Sequence, residues 1–352
     1  MGQILGIGVT HSPNLMYPDE HMADILKGIL SSGKVPVEKK DPSNWPISMK
    51  NEWGEDEGLL AAKAHREALV HEFRRIRQEI DLFNPDFVVI FGDDQYENFR
   101  EDLVPQFCVL NYGDISAQPF LHDPPFLRAS KGKDVNNFWD EPKDQKFSYK
   151  GHVEGGGYII DKLNHHGFDV AFSFKPHHYN GIAHAFANTL NYLDYDRKGF
   201  TYPVIPFHVN CYGKSLLRGG FQKFVSDNGL ETPNGPTPAR CFEIGMALGA
   251  ILEDSPWKVA VIGSSSWSHA SLTSKTGWLH PDFEFDKERY NELIEGRHSE
   301  WRNLSIDEIE NSGQMELRNW ICLAGAMANR KPKHTKLIET HLFNSNKCFA
   351  IF

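Results

Sequence analysis

The sequence predicts an α/β fold with a mostly parallel central sheet and helices on both of its faces. Short apolar runs typical of strands alternate with longer segments whose apolar residues recur at helical spacing. Strands separated by helices are the pattern of parallel sheets, because each crossover places a helix on a face of the sheet. The length of 352 residues allows one large core, and we predict a single domain over residues 1–352.

Strands and helices alternate in the first half of the chain. An alternating apolar stretch that stops at Thr10 predicts the first strand, and residues 19–31 predict a helix. Apolar positions at helical spacing predict a long amphipathic helix over residues 56–83, and the apolar run 87–91 predicts a buried strand. Residues 105–149 are rich in Pro, Asp, Lys and aromatic residues with weak periodicity, so we predict a lid or an insertion there.

The same alternation continues in the second half of the chain. The predicted strands cover residues 169–174, 202–210 and 257–263. The predicted helices cover residues 153–166, 238–253, 286–295, 306–311 and 314–329. Thr237 and Pro238 fit the N-cap and the first turn of one of these helices. The last third of the chain is therefore expected to be mainly helical.

Composition and charge exclude several classes of protein. The net charge of −10 argues against a nucleic-acid partner, because binding to phosphates needs a basic face. No apolar run approaches the roughly 20 residues of a membrane span, and the N-terminus lacks the pattern of a secretory leader. The five cysteines are widely spaced, which is typical of reduced thiols. We predict a cytoplasmic protein that binds neither membranes nor nucleic acid.

Polar side chains follow several of the predicted strands. They are His11, the cluster Asp93-Asp94-Gln95, the histidines between His177 and His184, and the stretch Ser266 to His269. In a parallel sheet these loops leave the same edge and can converge. One further carboxylate, Glu284, stands between two phenylalanines. A set of His and carboxylate ligands with open coordination positions is the type of site that binds non-haem Fe(II).

A series of short motifs supports a more specific interpretation. They are Thr10–Pro13, Pro85–Asp94, Ala183–Phe186, Val204–Pro206, Pro238–Gly245, Gly263–His269, Glu284–Asp286 and Glu316–Trp320. In this order they resemble the class III extradiol ring-cleavage dioxygenases, the superfamily of the protocatechuate 4,5-dioxygenase catalytic subunit. The resemblance covers nearly the whole chain and implies a class III-like extradiol dioxygenase fold.

The resemblance also implies a metal site. In the family a first-strand His, a second His in an Asp-His pair and a late Glu bind Fe(II). His11 and Glu284 match the first and the last, and the pair falls on Asp94-Gln95, so we predict His11, Gln95 and Glu284 as metal ligands. An amide oxygen is a weaker donor to Fe(II) than an imidazole, so Asp94 or one histidine of residues 177–178 could serve instead. Glu284 could alternatively be an acidic residue at a helix N-terminus.

The resemblance implies catalytic residues as well. His184 matches the family's acid and base histidine, which takes a proton from a phenol and protonates an oxygen intermediate. A second family histidine falls on Tyr158, whose phenol can donate a hydrogen bond, and His152 could take over part of that role. His269 is expected to contact the substrate or to lie behind the metal. We therefore predict His184, His269 and Tyr158 as catalytic residues.

These interpretations together predict an Fe(II)-dependent dioxygenase that opens a catechol-like or aminophenol-like ring with O₂. By resemblance we expect a homo-oligomer or a chain paired with a second subunit. Two alternatives remain open. Gln95 and Tyr158 depart from the family pattern, so the chain could be an inactive or regulatory homologue of an active subunit. It could also catalyse a different metal-dependent reaction on the same scaffold, such as a hydrolysis or an oxidation of a non-aromatic substrate.

Overall fold

A computed structural model describes residues 1–100, 102–121, 135–213, 234–328 and 330–352. Its strands are β1 (Gln3–Val9), β2 (Phe87–Gly92), β3 (Phe107–Leu110), β4 (Asp114–Ala117), β5 (Phe147–Lys150), β6 (Ala171–Ser173), β7 (Val204–Val209), β8 (Lys258–Ser264), β9 (His334–Ile338) and β10 (Lys347–Ile351). Its helices are α1 (Asp24–Ser31), α2 (Ile47–Trp53), α3 (Leu59–Phe83), α4 (Val153–His165), α5 (His184–Leu193), α6 (Pro238–Glu253), α7 (Phe283–Glu295), α8 (Ile306–Asn311) and α9 (Leu317–Ala326).

Eight of the strands form one sheet in the order β6-β3-β7-β2-β8-β1-β10-β9. The four strands at its centre, β7, β2, β8 and β1, are parallel to one another. Towards the edges, β3 is antiparallel to β7 and β10 is antiparallel to β1. The predicted α/β class and the parallel centre are confirmed, and the outer strands make the sheet mixed.

Helices cover both faces of this sheet, as the buried strands require. Successive residues of a strand point to opposite faces, and in β2 they enter two different apolar clusters. Val89 and Phe91 belong to a cluster that includes residues of α4, α6 and α9. Val88 and Ile90 belong to a second cluster, which includes residues of α3 and α5. The predicted layering, with helices on both sides, is therefore confirmed.

The structure contains strands that the sequence pattern does not predict. Within the predicted lid of residues 105–149, β3 joins the main sheet and β4 pairs with β5; residues 122–134 lie outside the described part. Near the C-terminus, β10 begins at Lys347, which is fully buried because its Nζ atom donates to the carbonyls of Phe343 and Ser345. This lysine lies at the start of the strand, ahead of the apolar residues 348–352.

Two further features concern the cysteines and the helix lengths. All five cysteines are buried and free. No helix in the described ranges is long and apolar enough to cross a membrane.

The architecture also brings several strand ends to one edge, because β1, β2, β7 and β8 all end on the same side of the sheet. The helices α5 and α9 begin next to that edge, at His184 and just after Glu316.

Candidate functional site

Three buried side chains meet at the carboxyl edge of the sheet. The Nε2 atom of His11 lies 3.2 Å from Oε2 of Glu316 and 3.7 Å from Oδ1 of Asp93. One ligand atom from each residue lies within 4.8 Å of the others. All three side chains are 2% exposed or less. One imidazole nitrogen and two carboxylate oxygens at this spacing have the composition of a divalent-cation site.

Each member of this three-residue cluster enters from a different element. His11 follows β1, and Asp93 follows β2 directly and accepts a hydrogen bond from Nδ2 of Asn319 at 3.2 Å. Glu316 immediately precedes α9, and its Oε1 atom accepts from the Tyr212 hydroxyl at 2.6 Å. The cluster is therefore assembled by the packing of α9 against the ends of the parallel strands.

The cluster fits a bound cation. Two of its buried atoms, Nε2 of His11 and Oε2 of Glu316, have no hydrogen-bond partner among the described residues. Burial raises the pKa of Asp93, and the Glu316 charge raises it further, to about 6. Burial also acts to raise the pKa of Glu316, but the nearby His11 and His269 outweigh it and the pKa is lowered. A dication would give the unpartnered atoms a partner and offset the buried negative charge.

Gln95 lies beside the cluster as a hydrogen-bond donor. Its Nε2 atom is 3.0 Å from Oδ2 of Asp93, 3.1 Å from Oε1 of Glu316 and 3.2 Å from the Tyr212 hydroxyl oxygen. Carboxylate oxygens can only accept, so the amide nitrogen of Gln95, and not its oxygen, faces them. The predicted ligand position therefore holds a side chain that donates to two carboxylates.

Asp94, the alternative ligand, is used by its own loop. Its carboxylate accepts the backbone N–H groups of Glu97, Asn98 and Phe99 at 2.9–3.3 Å. Burial and the Glu97 charge raise the pKa of Asp94 to about 7. Asp93 therefore reaches His11, whereas Asp94 is taken up by hydrogen bonds within its own loop.

Glu284 lies outside this three-residue cluster. It is exposed in the first turn of α7 and follows the N-cap residue Asp282 by two positions. An acidic residue in that turn is stabilised by the helix dipole, which is the alternative considered for it from the sequence. The structure brings Glu316 to His11 instead, and this corrects the predicted position of the late carboxylate.

His184 is the first residue of α5 and faces the cluster. Its ring lies edge-to-face with that of His11, at 5.4 Å between centroids. Its Nδ1 atom is 3.1 Å from both carboxylate oxygens of Glu97, which also accepts the backbone N–H of His184. Burial alone would lower the pKa of His184, but the Glu97 carboxylate outweighs it and the pKa rises to about 9. The structure thus places an imidazole with a raised pKa beside His11.

His269 also lies at the site. Its Nε2 atom is 3.7 Å from Oε1 of Glu316, and its Nδ1 atom is 3.3 Å from the carbonyl oxygen of Gly313. A carbonyl only accepts, so Nδ1 carries the proton and Nε2 faces Glu316. Burial lowers the pKa of His269. The side chain is therefore close to the cluster.

Tyr158 and His152 lie at the opposite edge of the sheet. Tyr158, on α4, packs edge-to-face on Trp257, with ring centroids 5.4 Å apart. Trp257 immediately precedes β8, whereas the cluster lies beyond the other end of that strand. His152 stacks on Phe87, at the start of β2, with centroids 4.5 Å apart. The structure brings neither side chain to His11, which corrects the predicted position of Tyr158.

The two histidines considered as substitute ligands have other contacts. The backbone N–H of His177 donates to Oδ1 of Asn98 at 3.1 Å. Nε2 of His178 lies 2.8 Å from a carboxylate oxygen of Asp102. Neither histidine belongs to the three-residue cluster.

The roles of four residues at the site are not predicted from the sequence. These residues are Asp93, Glu97, Tyr212 and Glu316. Asp93 and Glu316 stand inside motifs that support the family resemblance, so those motifs contained a usable signal. Glu97 and Tyr212 are ordinary loop residues in the sequence, and their roles depend on contacts with His184 and Glu316.

Comparison with known proteins shows similarity to ring-opening dioxygenases. Residues 225–351 match the family described as the catalytic LigB subunit of aromatic ring-opening dioxygenase. A protein of Photorhabdus laumondii subsp. laumondii named 2,3-dihydroxyphenylpropionate/2,3-dihydroxicinnamic acid 1,2-dioxygenase is 26% identical over 212 residues, covering 60% of this chain and 52% of that protein. Proteins of the same name from Comamonas testosteroni and Cupriavidus necator are 23% and 24% identical, over 67% and 74% of this chain.

The coverage of these relatives differs. The chain spans about half the length of the first two, at 52% and 54%, and 82% of the Cupriavidus necator protein. Residues 225–351 are thus similar to the catalytic subunit of aromatic ring-opening dioxygenases, and longer stretches of the chain are similar to three proteins named as 1,2-dioxygenases.

Proposed function

We propose that this chain is a metal-dependent dioxygenase that opens an aromatic ring, and that His11, Asp93 and Glu316 hold Fe(II). The buried cluster carries the proposal, because its Nε2 and Oε2 atoms face each other without hydrogen-bond partners in the described structure. When bound, the ion would lower the pKa of a substrate hydroxyl and bring both reactants together.

The neighbouring side chains have separate roles in this proposal. Gln95 orients the carboxylates of Asp93 and Glu316 through its amide nitrogen and is not itself a ligand. Glu97 holds the Nδ1 proton of His184, so the proton that His184 exchanges with the substrate is the one at Nε2. Together these groups would supply a positioned general acid and base next to the substrate.

The relatives support a substrate class. They are named for 2,3-dihydroxyphenylpropionate and 2,3-dihydroxicinnamic acid, which are catechols. We propose a catechol-like or aminophenol-like substrate for this chain, with O₂ as the second reactant. We further propose a cytoplasmic location, a lid role for part of residues 105–149, and assembly as a homo-oligomer or with a second subunit.

Anaerobic reconstitution tests the proposal directly. Metal-free protein is loaded with Fe(II), and we expect about one iron per chain, lost in His11→Ala. Loaded protein is then given 2,3-dihydroxyphenylpropionate and O₂, and we expect equal consumption of both with formation of a ring-opened product. Equal iron content in the parent and His11→Ala would contradict the metal site. Iron binding without ring opening of a catechol or an aminophenol would contradict the reaction.

One observation favours a second candidate function. Two of the three cluster residues are carboxylates, and carboxylates also suit Mg²⁺ and Mn²⁺, whereas two imidazoles and one carboxylate are typical of non-haem Fe(II) enzymes. A different metal-dependent reaction on this scaffold, such as a hydrolysis, would therefore use Mn²⁺ or Mg²⁺ and consume no O₂. Parallel loading with Mn²⁺ and Fe(II), followed by O₂ uptake measurements, separates the two functions.

A further inference from the structure

A chain of hydrogen bonds leads from His11 into the protein, away from the cluster. The Nδ1 atom of His11 lies 3.1 Å from Oγ of Ser264, the last residue of β8. That hydroxyl lies 2.6 Å from Oγ1 of Thr189, on α5. The Thr189 hydroxyl in turn donates to the backbone carbonyl of Ala185 at 2.6 Å. Ser264 and Thr189 are both fully buried.

We call the hydrogen-bond chain from His11 through Ser264 and Thr189 to the Ala185 carbonyl the relay. The position of each proton in the relay follows from the Ala185 carbonyl at its end. A carbonyl can only accept, so the single hydroxyl proton of Thr189 points to Ala185. The Ser264 hydroxyl must then donate to Thr189, since the contact between the two oxygens needs a proton. The oxygen of Ser264 is left as an acceptor towards His11. Nδ1 of His11 therefore carries a proton, and the lone pair of the neutral ring is at Nε2.

We propose that Ser264 and Thr189 are positioning residues that hold His11 in the tautomer able to bind a metal. The inference rests on the proposed metal role of His11. The opposite tautomer would place a proton on Nε2, which could then donate to Oε2 of Glu316 at 3.2 Å and block both ligand atoms. The relay opposes that competing hydrogen bond. The Ser264 hydroxyl proton points to Thr189, so no donor faces Nδ1 of His11 in the opposite tautomer.

The helix that carries the relay also holds the main chain around His11. Nδ2 of Asn188 donates to the carbonyl of His11 at 3.1 Å. The Tyr192 hydroxyl donates to the carbonyl of Ser12 at 2.7 Å. Because α5 also begins at His184, a single helix positions the first proposed ligand and supplies the proposed acid and base.

The test compares Thr189→Val with Thr189→Ser. Valine has the shape of threonine and removes the hydroxyl, so the Ser264 proton is free to turn towards Nδ1, whereas serine keeps the relay. In metal-free, ¹⁵N-histidine-labelled protein at about pH 9, where an ordinary imidazole is neutral, we expect Nδ1–H in the parent and in Thr189→Ser. We expect a shift towards Nε2–H in Thr189→Val. The His11 signals are assigned by their loss in His11→Asn.

The second measurement is Fe(II) affinity by anaerobic competition with a chelator. Removing a group that orients a ligand typically weakens metal binding about 10–100-fold, and we expect a loss of this size in Thr189→Val and recovery in Thr189→Ser. An Nε2–H tautomer in the parent, or an unchanged tautomer and affinity in Thr189→Val, would overturn the inference. The spectra need no metal, so a parent protein that binds no iron would contradict the proposed function and still test the relay.

Discussion

At the scale of single residues, the site separates neighbouring polar side chains by the direction in which each points. Asp93 reaches His11, whereas the next residue, Asp94, binds backbone N–H groups of its own loop. Gln95 then donates to Asp93 and to Glu316. The cluster thus contains two buried carboxylates and one imidazole, and its excess negative charge is what a dication would balance.

The structure places Glu316, and not Glu284, beside His11, so substitutions at these two glutamates form a matched pair. Glu316→Gln removes a charged oxygen from the buried cluster, so we expect Fe(II) binding to fall at least 10-fold. Glu284→Gln makes the same chemical change on the exposed first turn of α7 and should leave Fe(II) affinity unchanged. Affinity is measured on metal-free protein by anaerobic titration. The reverse pattern would return the ligand role to Glu284.

At the scale of elements, α9 connects two stretches of chain next to the site. The Arg318 guanidinium is fully buried and donates to the carbonyls of Cys211 and Pro236 at 2.7 and 2.8 Å. These contacts hold the segment after β7 against the start of α9. Tyr212 lies in that segment, and the contacts keep its hydroxyl against Glu316. The ordered start of one helix therefore fixes both a carboxylate and its hydrogen-bond donor.

Strand β7 also carries a buried histidine that affects the stability of the sheet. His208 is 2% exposed and packs against Phe99, with ring centroids 4.6 Å apart. Burial lowers its pKa to about 3, in spite of the nearby Pro105 carbonyl. Between about pH 3 and the ordinary imidazole value near 6.5, the unfolded chain binds a proton at this position and the folded chain does not. Folding stability must therefore fall as the pH is lowered through this window.

The variant His208→Leu tests this titration. Its free energy of unfolding should fall less steeply between pH 6.5 and pH 4 than that of the parent, by up to about 1.4 kcal/mol per pH unit. Above about pH 7 the pH dependence of the two proteins should be the same, whatever their difference in stability. Urea unfolding of metal-free protein at several pH values gives both slopes. Parallel slopes throughout would show that His208 titrates normally in the folded protein.

At the scale of the whole molecule, the cluster joins parts of the chain that are far apart in sequence. His11 follows β1, Asp93 follows β2, and Glu316 precedes α9. Unfolding would separate these three residues and destroy the site. A metal that binds the folded chain therefore stabilises the entire fold by mass action.

Thermal unfolding measures this coupling. Free Fe(II) or Mn²⁺ at 100 times its Kd should stabilise the fold by about 2.7 kcal/mol and raise the Tm by several degrees. A chelator should reverse the rise, and Asp93→Asn should greatly reduce it. Glu284→Gln serves as the control and should retain the full shift. A parent protein whose Tm is insensitive to both metal and chelator would argue against a bound cation.

The sequence by itself determined the α/β class, the parallel central strands, most helix bounds, and the edge at which His11, His184 and His269 lie. These follow from local signals, since the spacing of apolar residues distinguishes strands from helices and parallel strands end together. Only the tertiary structure decided which carboxylates reach His11. Asp93 and Glu316 do so, Gln95 donates to both of them, and Glu284 and Tyr158 lie elsewhere. These positions depend on the packing of α9 on the sheet, which joins residues more than 200 positions apart in the chain.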